Sequence, residues 1–429
     1  MISQGLADVV IASALVITLL AYVKLSRIEG SYINVLLPSL ITAIPASYFF
    51  PWIYVHIFGT GASQYSFLYV YATLAVENVA FVYAYSRARA KVVGLPFRFS
   101  YRNFGLLAWI CLGLAVLIYV PLLMQFREFL LDPREIYKQT RTGFGPQFYI
   151  SSILAYLAVI LVLFAKRSWL TKAVVIAVAM GLLLLHGSKG HVLNLVLLLI
   201  LFHVYGAGRK VGLGRTFMAC SAIALVVVLL FLGTMALGDG PREMLESISQ
   251  YSDYTRNAMM VIDEHYPVQY GRLTVEANTI SLVPRVLVPT KPKNFGPMRL
   301  DEEFYPEQLD ADAGAPSFGV GVQYADFGAL AIAYLAFFGL LRGWLARVFV
   351  NRLKVTHHPS DFFMVAFLAD VGLFPGAAGW FLPGALLVAV ALRFVSRIGA
   401  GKVYRDPQKK TSSLRPARML RPANSPGNV

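Results

Sequence analysis

The sequence predicts an all-α polytopic membrane protein with about eleven transmembrane helices and a large, partly helical external loop. Three observations carry that prediction. Hydrophobic residues fill 57% of the 429 positions and charged residues only 14%, with a mean hydropathy of +0.61, outside the range of a soluble domain. Apolar runs long enough, or nearly so, to cross a hydrocarbon core of ~30 Å recur along the chain. They are continuous rather than alternating, which selects helices over a β-barrel. Finally, the cations fall unevenly on successive loops, as they do when short Lys/Arg-rich loops stay cytoplasmic.

The runs lie at 5–23, 33–57, 64–86, 104–124, 147–165, 171–186, 192–206, 216–237, 319–341, 361–374 and 377–394. No cationic segment precedes the first, so it reads as a retained span and not a cleavable signal. Residues 1–238 then hold the first eight spans, with a smaller external loop near 125–146. A large external loop occupies 239–318, and 319–394 hold the last three spans. The tail 395–429 is basic and rich in Pro and Ser, a composition expected to be disordered and cytoplasmic.

With the N-terminus outside, the cytoplasmic side receives Lys24 and Arg27, then Arg87 to Arg102, Lys166 to Lys172, Arg209 to Arg215, Arg342 to Lys354 and the tail. These are 26 of the 38 cations, against three acids, Glu29, Asp361 and Asp406. The net charge of +15 is therefore a matter of topology and of anionic membrane lipids, and nucleic acid is not an expected partner. Cys111 and Cys220 lie inside predicted spans and leave no disulfide to staple the external loops.

Function falls to the external loops and to the few polar groups within spans. An irregular connection as long as 239–318 is uncommon unless it works or is disordered, and this one is too aromatic and aliphatic for a linker. Its first part places Met244, Ile248, Tyr251, Ala258, Val261 and Ile262 near helical spacing, with Arg242, Glu246, Asp253 and Arg256 elsewhere. That pattern fits an amphipathic helix in the outer interface, or a helix packed on the spans. In "LVPRVLVPTKPKNFGPMRLDEEF" (282–304), Pro284, Pro289 and Pro292 fix φ and hold Arg285, Lys291 and Lys293 in a restricted geometry. Such an array suits a fixed anion; alternatively its cations pair with Asp301, Glu302 and Glu303. The hairpin "LLLLHGSKGHVLNL" joins two short spans and leaves His186, Lys189 and His191 recessed, at a depth where charge is expensive. The helix starting near His191 would turn its positive end to an anion. Glu77 and Asp370, within spans, are functional candidates or interhelical hydrogen-bonding groups. Asp310 and Asp312 form an Asp-x-Asp pair of the kind that holds a divalent cation, but the loop cations suffice for a diphosphate, and no metal or other cofactor is expected.

Three elements, "HGSKG" at 186–190, "PRVLVPTKP" at 284–292 and "GVQYADFG" at 321–328, share an order and a side of the membrane. Together they resemble the Wzy-type O-antigen and oligosaccharide repeat-unit polymerases, polytopic glycosyltransferases of the GT-C type. Two positions depart from that pattern: Val322 stands where the family carries Glu, and Lys189 where it carries Arg, which loses the planar fork. Both long loops also contain Arg, ten residues, then Gly: Arg134 to Gly145 and Arg285 to Gly296.

The resemblance implies a multi-pass protein of the bacterial cytoplasmic (inner) membrane that elongates O-antigen of lipopolysaccharide, or an exopolysaccharide. The donor would be a glycan on undecaprenyl diphosphate, the acceptor the terminal hydroxyl of a lipid-linked repeat unit, with flippase and chain-length regulator proteins as partners. The leaving diphosphate needs cations, for which Arg285, Lys189, Arg256 and Lys291 are candidates. The acceptor hydroxyl needs a base, for which Asp253, His265, Asp326 and His186 are candidates. Lys291, His186, Gly190, Arg272, Arg141 and Tyr324 form the expected substrate-binding set. A ligase moving the glycan to lipid A or protein, and a non-enzymatic transporter, are the alternatives; ionisable residues at the outer ends of otherwise clean spans favour chemistry over transport.

Overall fold

A computed structural model of the chain describes residues 2–88, 101–130, 135–137, 144–232, 252–280, 283, 288–292, 294–307, 317–374 and 382–397; at 101–102, 146, 189 and 224–232 the description extends to the backbone alone. Among the described residues, each apolar run carries a helix: α1 (Gln4–Glu29), α2 (Leu37–Phe58), α3 (Gln64–Arg87), α4 (Tyr101–Gln125), α5 (Gly145–Phe164), α6 (Trp169–Leu185), α7 (Lys189–Leu201, extended by a wider turn to Gly206) and α8 (Leu213–Leu232). The large loop supplies α9 (Asp253–Asp263), α10 (Arg272–Thr279) and α11 (Met298–Phe304). Then come α12 (Gly321–Phe327), α13 (Ala331–Thr356), α14 (Pro359–Leu368) and α15 (Leu382–Arg397). No strand occurs among the described residues, and six helices there are long and apolar enough to cross a membrane, with shorter apolar helices between them.

Within lipid, apolar burial does not drive helices together, so close backbone approach and polar contacts must. The tightest crossing is α13 on α3. It rests on Gly339 and Gly343: a Cβ on Gly339 would lie 2.5 Å from the Glu77 carbonyl, and one on Gly343 would collide with that of Phe81. Arg342, between those glycines, was expected on the cytoplasmic rim; instead it is buried half-way along α13. Its guanidinium lies 3.7 Å from Glu77 and 3.8 Å from Asp370, and its Nε donates to the Leu368 carbonyl at 2.8 Å. The reason is that α13 continues without a break to Thr356, so the span runs well past residue 341.

The two ends of the bundle separate the residues that the cation count placed on opposite sides. At one end Thr60 donates to the Ile2 carbonyl at 2.8 Å, and Ser63, the N-cap of α3, donates to Asp263 at the end of α9. At the other end Tyr85 and Arg347 meet Glu29, and Asp361 gathers Arg352, Arg393 and Thr356. The helix expected near 244–262 is α9, which buries Ala258, Met259, Val261 and Ile262 against α3 and α12, so it packs on the spans; residues 233–251 lie outside the description.

Candidate functional site

The hairpin tip between α6 and α7 comes first, because its turn is dictated by Gly187, whose φ of +70° is open to glycine at little strain. His186 is fully buried there. Its Nδ1 donates to the Leu182 carbonyl at 2.7 Å, its Nε2 faces the Ser151 hydroxyl at 2.8 Å, and its ring stacks on Tyr119 at 3.9 Å. Both nitrogens are thus committed to the protein. His191 lies with its ring centroid 5.6 Å from that of His186; Tyr156 donates to its carbonyl at 3.1 Å and sits 3.0 Å from its Nδ1. The His191 Nε2 is buried and has no hydrogen-bond partner among the described residues. Lys189 and Gly190 open α7, whose first N–H groups lack intrahelical acceptors, and a Cβ on Gly190 would meet only the Ser188 hydroxyl, at 3.6 Å.

The loop helices form a second group. Gly319 and Gly321 let the start of α12 lie against the α9 backbone; a Cβ on Gly321 would sit 2.7 Å from the Ala258 Cα. Asn257, buried at that contact, donates to the Ser317 carbonyl at 3.0 Å and accepts from Tyr305 at 2.8 Å. The preceding residue, Arg256, donates to Asp253 one turn back at 2.5 Å and stacks over Tyr54 at 4.8 Å. Burial pushes the Asp253 carboxyl upward while the Arg256 charge opposes it, and about a third of each side chain remains exposed.

Asp326 is fully buried. Its carboxylate accepts from the Leu273 and Thr274 backbone at 2.8 and 2.7 Å and from the Thr274 hydroxyl at 2.6 Å, capping α10. The sequence marks it as a possible base, but the structure puts its oxygens to work as a clamp between α12 and α10. Glu276, absent from the candidates drawn from sequence, is the hub of this layer. It accepts from Arg299 at 2.7 and 3.0 Å, from Arg272 at 2.8 Å and from the Gly296 N–H at 2.8 Å. Burial alone would raise its carboxyl, but the bonds from Arg299, Gly296 and Arg272 outweigh that and hold it at about 2. Two guanidinium groups share this one carboxylate, and Glu302 on α11 also acts on Arg299. Lys291 turns back, donating to the Val283 carbonyl at 3.0 Å and lying 4.6 Å over the Phe295 ring. Among the described cations of this stretch, Arg299 pairs with Glu276 and Lys291 donates to a carbonyl; Lys293, like Arg285, lies outside the described residues.

His265 and Tyr324 meet in a third place, a cleft of about 360 Å³ lined also by Gly61, Ser63, Tyr65, Ile262 and Asp263. His265 follows the end of α9 at a φ of +53°, with its Nδ1 3.1 Å from the Ile262 carbonyl. Arg285, Arg141, Asp310 and Asp312 lie outside the described residues, as does the side chain of Lys189. Thus the structure pairs Asp253 with Arg256, places Arg272 and Asp326 at the start of α10, and brings His186 beside His191, with Gly190 next to His191 in the chain.

Two curated proteins resemble the chain along nearly its whole length. O-antigen polymerases of Salmonella typhimurium strain LT2 and of Salmonella typhi are each 32% identical to it over 388 residues, 90% of this chain and 94% of theirs. No family model and no solved structure matches it.

Proposed function

The chain belongs to the O-antigen polymerase family, and from that premise we propose that it joins lipid-linked oligosaccharide repeat units at the outer face of the bacterial inner membrane. The observation that carries this reading is the identity to polymerases over 90% of the chain. The packing of α9 to α12 onto the end of the bundle where α1 and α3 begin supports it, because a carrier diphosphate would lie at such an end.

In the reaction, the acceptor hydroxyl oxygen attacks the anomeric carbon of the donor glycan. The bond from that carbon to the carrier diphosphate breaks, the electron pair leaves with the diphosphate, and a base takes the hydroxyl proton. Asp253 is the base in this reading: it is partly exposed, burial raises its affinity for a proton, and Arg256 fixes its orientation. His186 and Asp326 are already fully hydrogen-bonded. Lys189 and Arg285 enter on their sequence motifs as cations for the leaving diphosphate, alongside the N-terminus of α7.

Deleting the gene and resolving the surface glycans by length tests the reading. A single repeat unit on each acceptor is the expected result. Long lipid-linked chains with none transferred would make the protein a ligase, and repeat units held at the cytoplasmic face would make it a transporter. Restoring the gene with Asp253→Asn should lower the polymerisation rate by about a hundredfold or more while leaving the protein in the membrane.

A further inference from the structure

The cleft at the C-terminal end of α9 is not accounted for by this chemistry. Asp253, the proposed base, opens α9 and Asp263 closes it, so the cleft begins about 15 Å along the helix from the reacting groups. Tyr65 and Tyr324 present rings to it, with Tyr69 behind them: Tyr69 packs 5.8 Å from Tyr65 and edge-on to Tyr324 at 5.2 Å. His265 and Asp263 line the cleft together with Tyr65 and Tyr324.

Two sets of hydrogen bonds tie the walls of the cleft together. Asp263 accepts from the Ser63 N–H at 2.9 Å and from the Ser63 and Ser66 hydroxyls at 2.6 and 2.8 Å, tying the end of α9 to the start of α3. The Tyr69 hydroxyl donates to the Ala329 carbonyl at 3.1 Å and accepts from the Ile332 N–H at 3.0 Å, fixing the turn that follows Tyr324. Nothing in these bonds needs a cavity. A volume of about 360 Å³ falls in the range of small-molecule sites, where aromatic walls and a few fixed polar groups set orientation. A pyranose ring has a complementary build, with C–H groups on one face that pack on an aromatic ring and hydroxyls around the edge that seek fixed donors and acceptors. Among the described residues no Lys or Arg lines the cleft, while Asp263 does, so it suits a neutral or hydroxyl-rich group better than a phosphate.

We propose that this cleft is a glycan subsite, binding a sugar of the repeat unit about one helix length from the bond being made. The assignment rests on the polymerase reading for the identity of the sugar. Its role is to register the oligosaccharide so that the terminal hydroxyl reaches Asp253, which makes Tyr65 and Tyr324 positioning residues. Binding at a remote site lowers KM without requiring any contact with the reacting atoms.

The test uses the full chain in lipid nanodiscs and, as probe, the repeat-unit oligosaccharide released from its carrier by mild acid. Gly61 lines the cleft, and a Cβ there meets nothing within 4 Å, so a large side chain can be placed at its wall without a backbone clash. Binding of the free oligosaccharide by the wild type, weakened about tenfold or more by both Gly61→Phe and Tyr65→Ala, is the expected result. With lipid-linked substrate the same variants should raise KM by a similar factor and leave kcat within about twofold. Unchanged oligosaccharide binding and unchanged KM in both variants would overturn the proposal. A wild type that binds the oligosaccharide in a Gly61-sensitive way but makes no polymer would uphold the cleft and refute the polymerase reading instead.

Discussion

Asp326 illustrates how a residue singled out for its chemistry can also hold the fold together. Its helix was legible in "GVQYADFG", but the backbone it caps begins at Leu273, 53 positions earlier, and no local pattern connects the two. The clamp predicts that Asp326→Asn, which keeps one acceptor oxygen, destabilises the protein by about 1–2 kcal/mol. The surviving folded protein should still polymerise, as measured by thermal unfolding and chain length on the same preparation. Glu276 was half legible: its pairing with Arg272 follows the four-residue helical spacing, whereas Arg299 and Gly296 arrive from another segment. Because its folded carboxyl is held at about 2 against an ordinary 4.5, its stabilisation is complete above about pH 4.5 and is lost as the pH falls towards 2. Melting temperatures of the wild type and Glu276→Gln should therefore differ at neutral pH and converge in acid.

At the scale of elements, hydropathy located the spans, but the contacts between them depend on which residues face which neighbour. The Gly-x-x-x-Gly spacing of Gly339 and Gly343 was visible in the sequence, and only the crossing with α3 shows what it serves. Gly343→Leu drives a side chain into the Phe81 carbonyl, a backbone atom that cannot step aside, and should cost about 3 kcal/mol. Gly113→Leu on α4, where a Cβ meets nothing within 4 Å, is the control expected to behave as wild type in a detergent-stability assay. The charge between those glycines makes the same junction polar. Arg342→Leu would leave Glu77 without its counter-charge and orphan the Leu368 carbonyl, at about 3 kcal/mol. Adding Glu77→Leu removes one stranded group and should recover part of that loss; a double variant no more stable than Arg342→Leu would show that the pair is not what holds α3 to α13.

For the whole molecule, the cation asymmetry was readable because it reports a property of entire loops and not of any one contact. Its limits were also physical: Arg342 was counted with the cytoplasmic loops because a charge ends an apolar run, although α13 carries it, paired, through the bundle. The segregation at the two ends nevertheless survives that correction, and it makes a topological prediction that the structure sharpens. Ser317, the natural choice for a probe in the large loop, is half-buried with its carbonyl bound to Asn257, so a failure to label there would be ambiguous. Tyr270 is 90% exposed in the turn before α10 and touches neither the clamp nor the cleft, so a cysteine there reports sidedness without disturbing the site. Gly212, between α7 and α8 at the opposite end, is exposed and has open space around its Cα. With Cys111 and Cys220 replaced by Ala, Tyr270→Cys should react with a membrane-impermeant thiol reagent in cells whose outer membrane alone has been opened, and Gly212→Cys only after lysis. The reverse pattern would invert the orientation and move α9 to α12 to the cytoplasmic face, away from any carrier-linked glycan on the outer side.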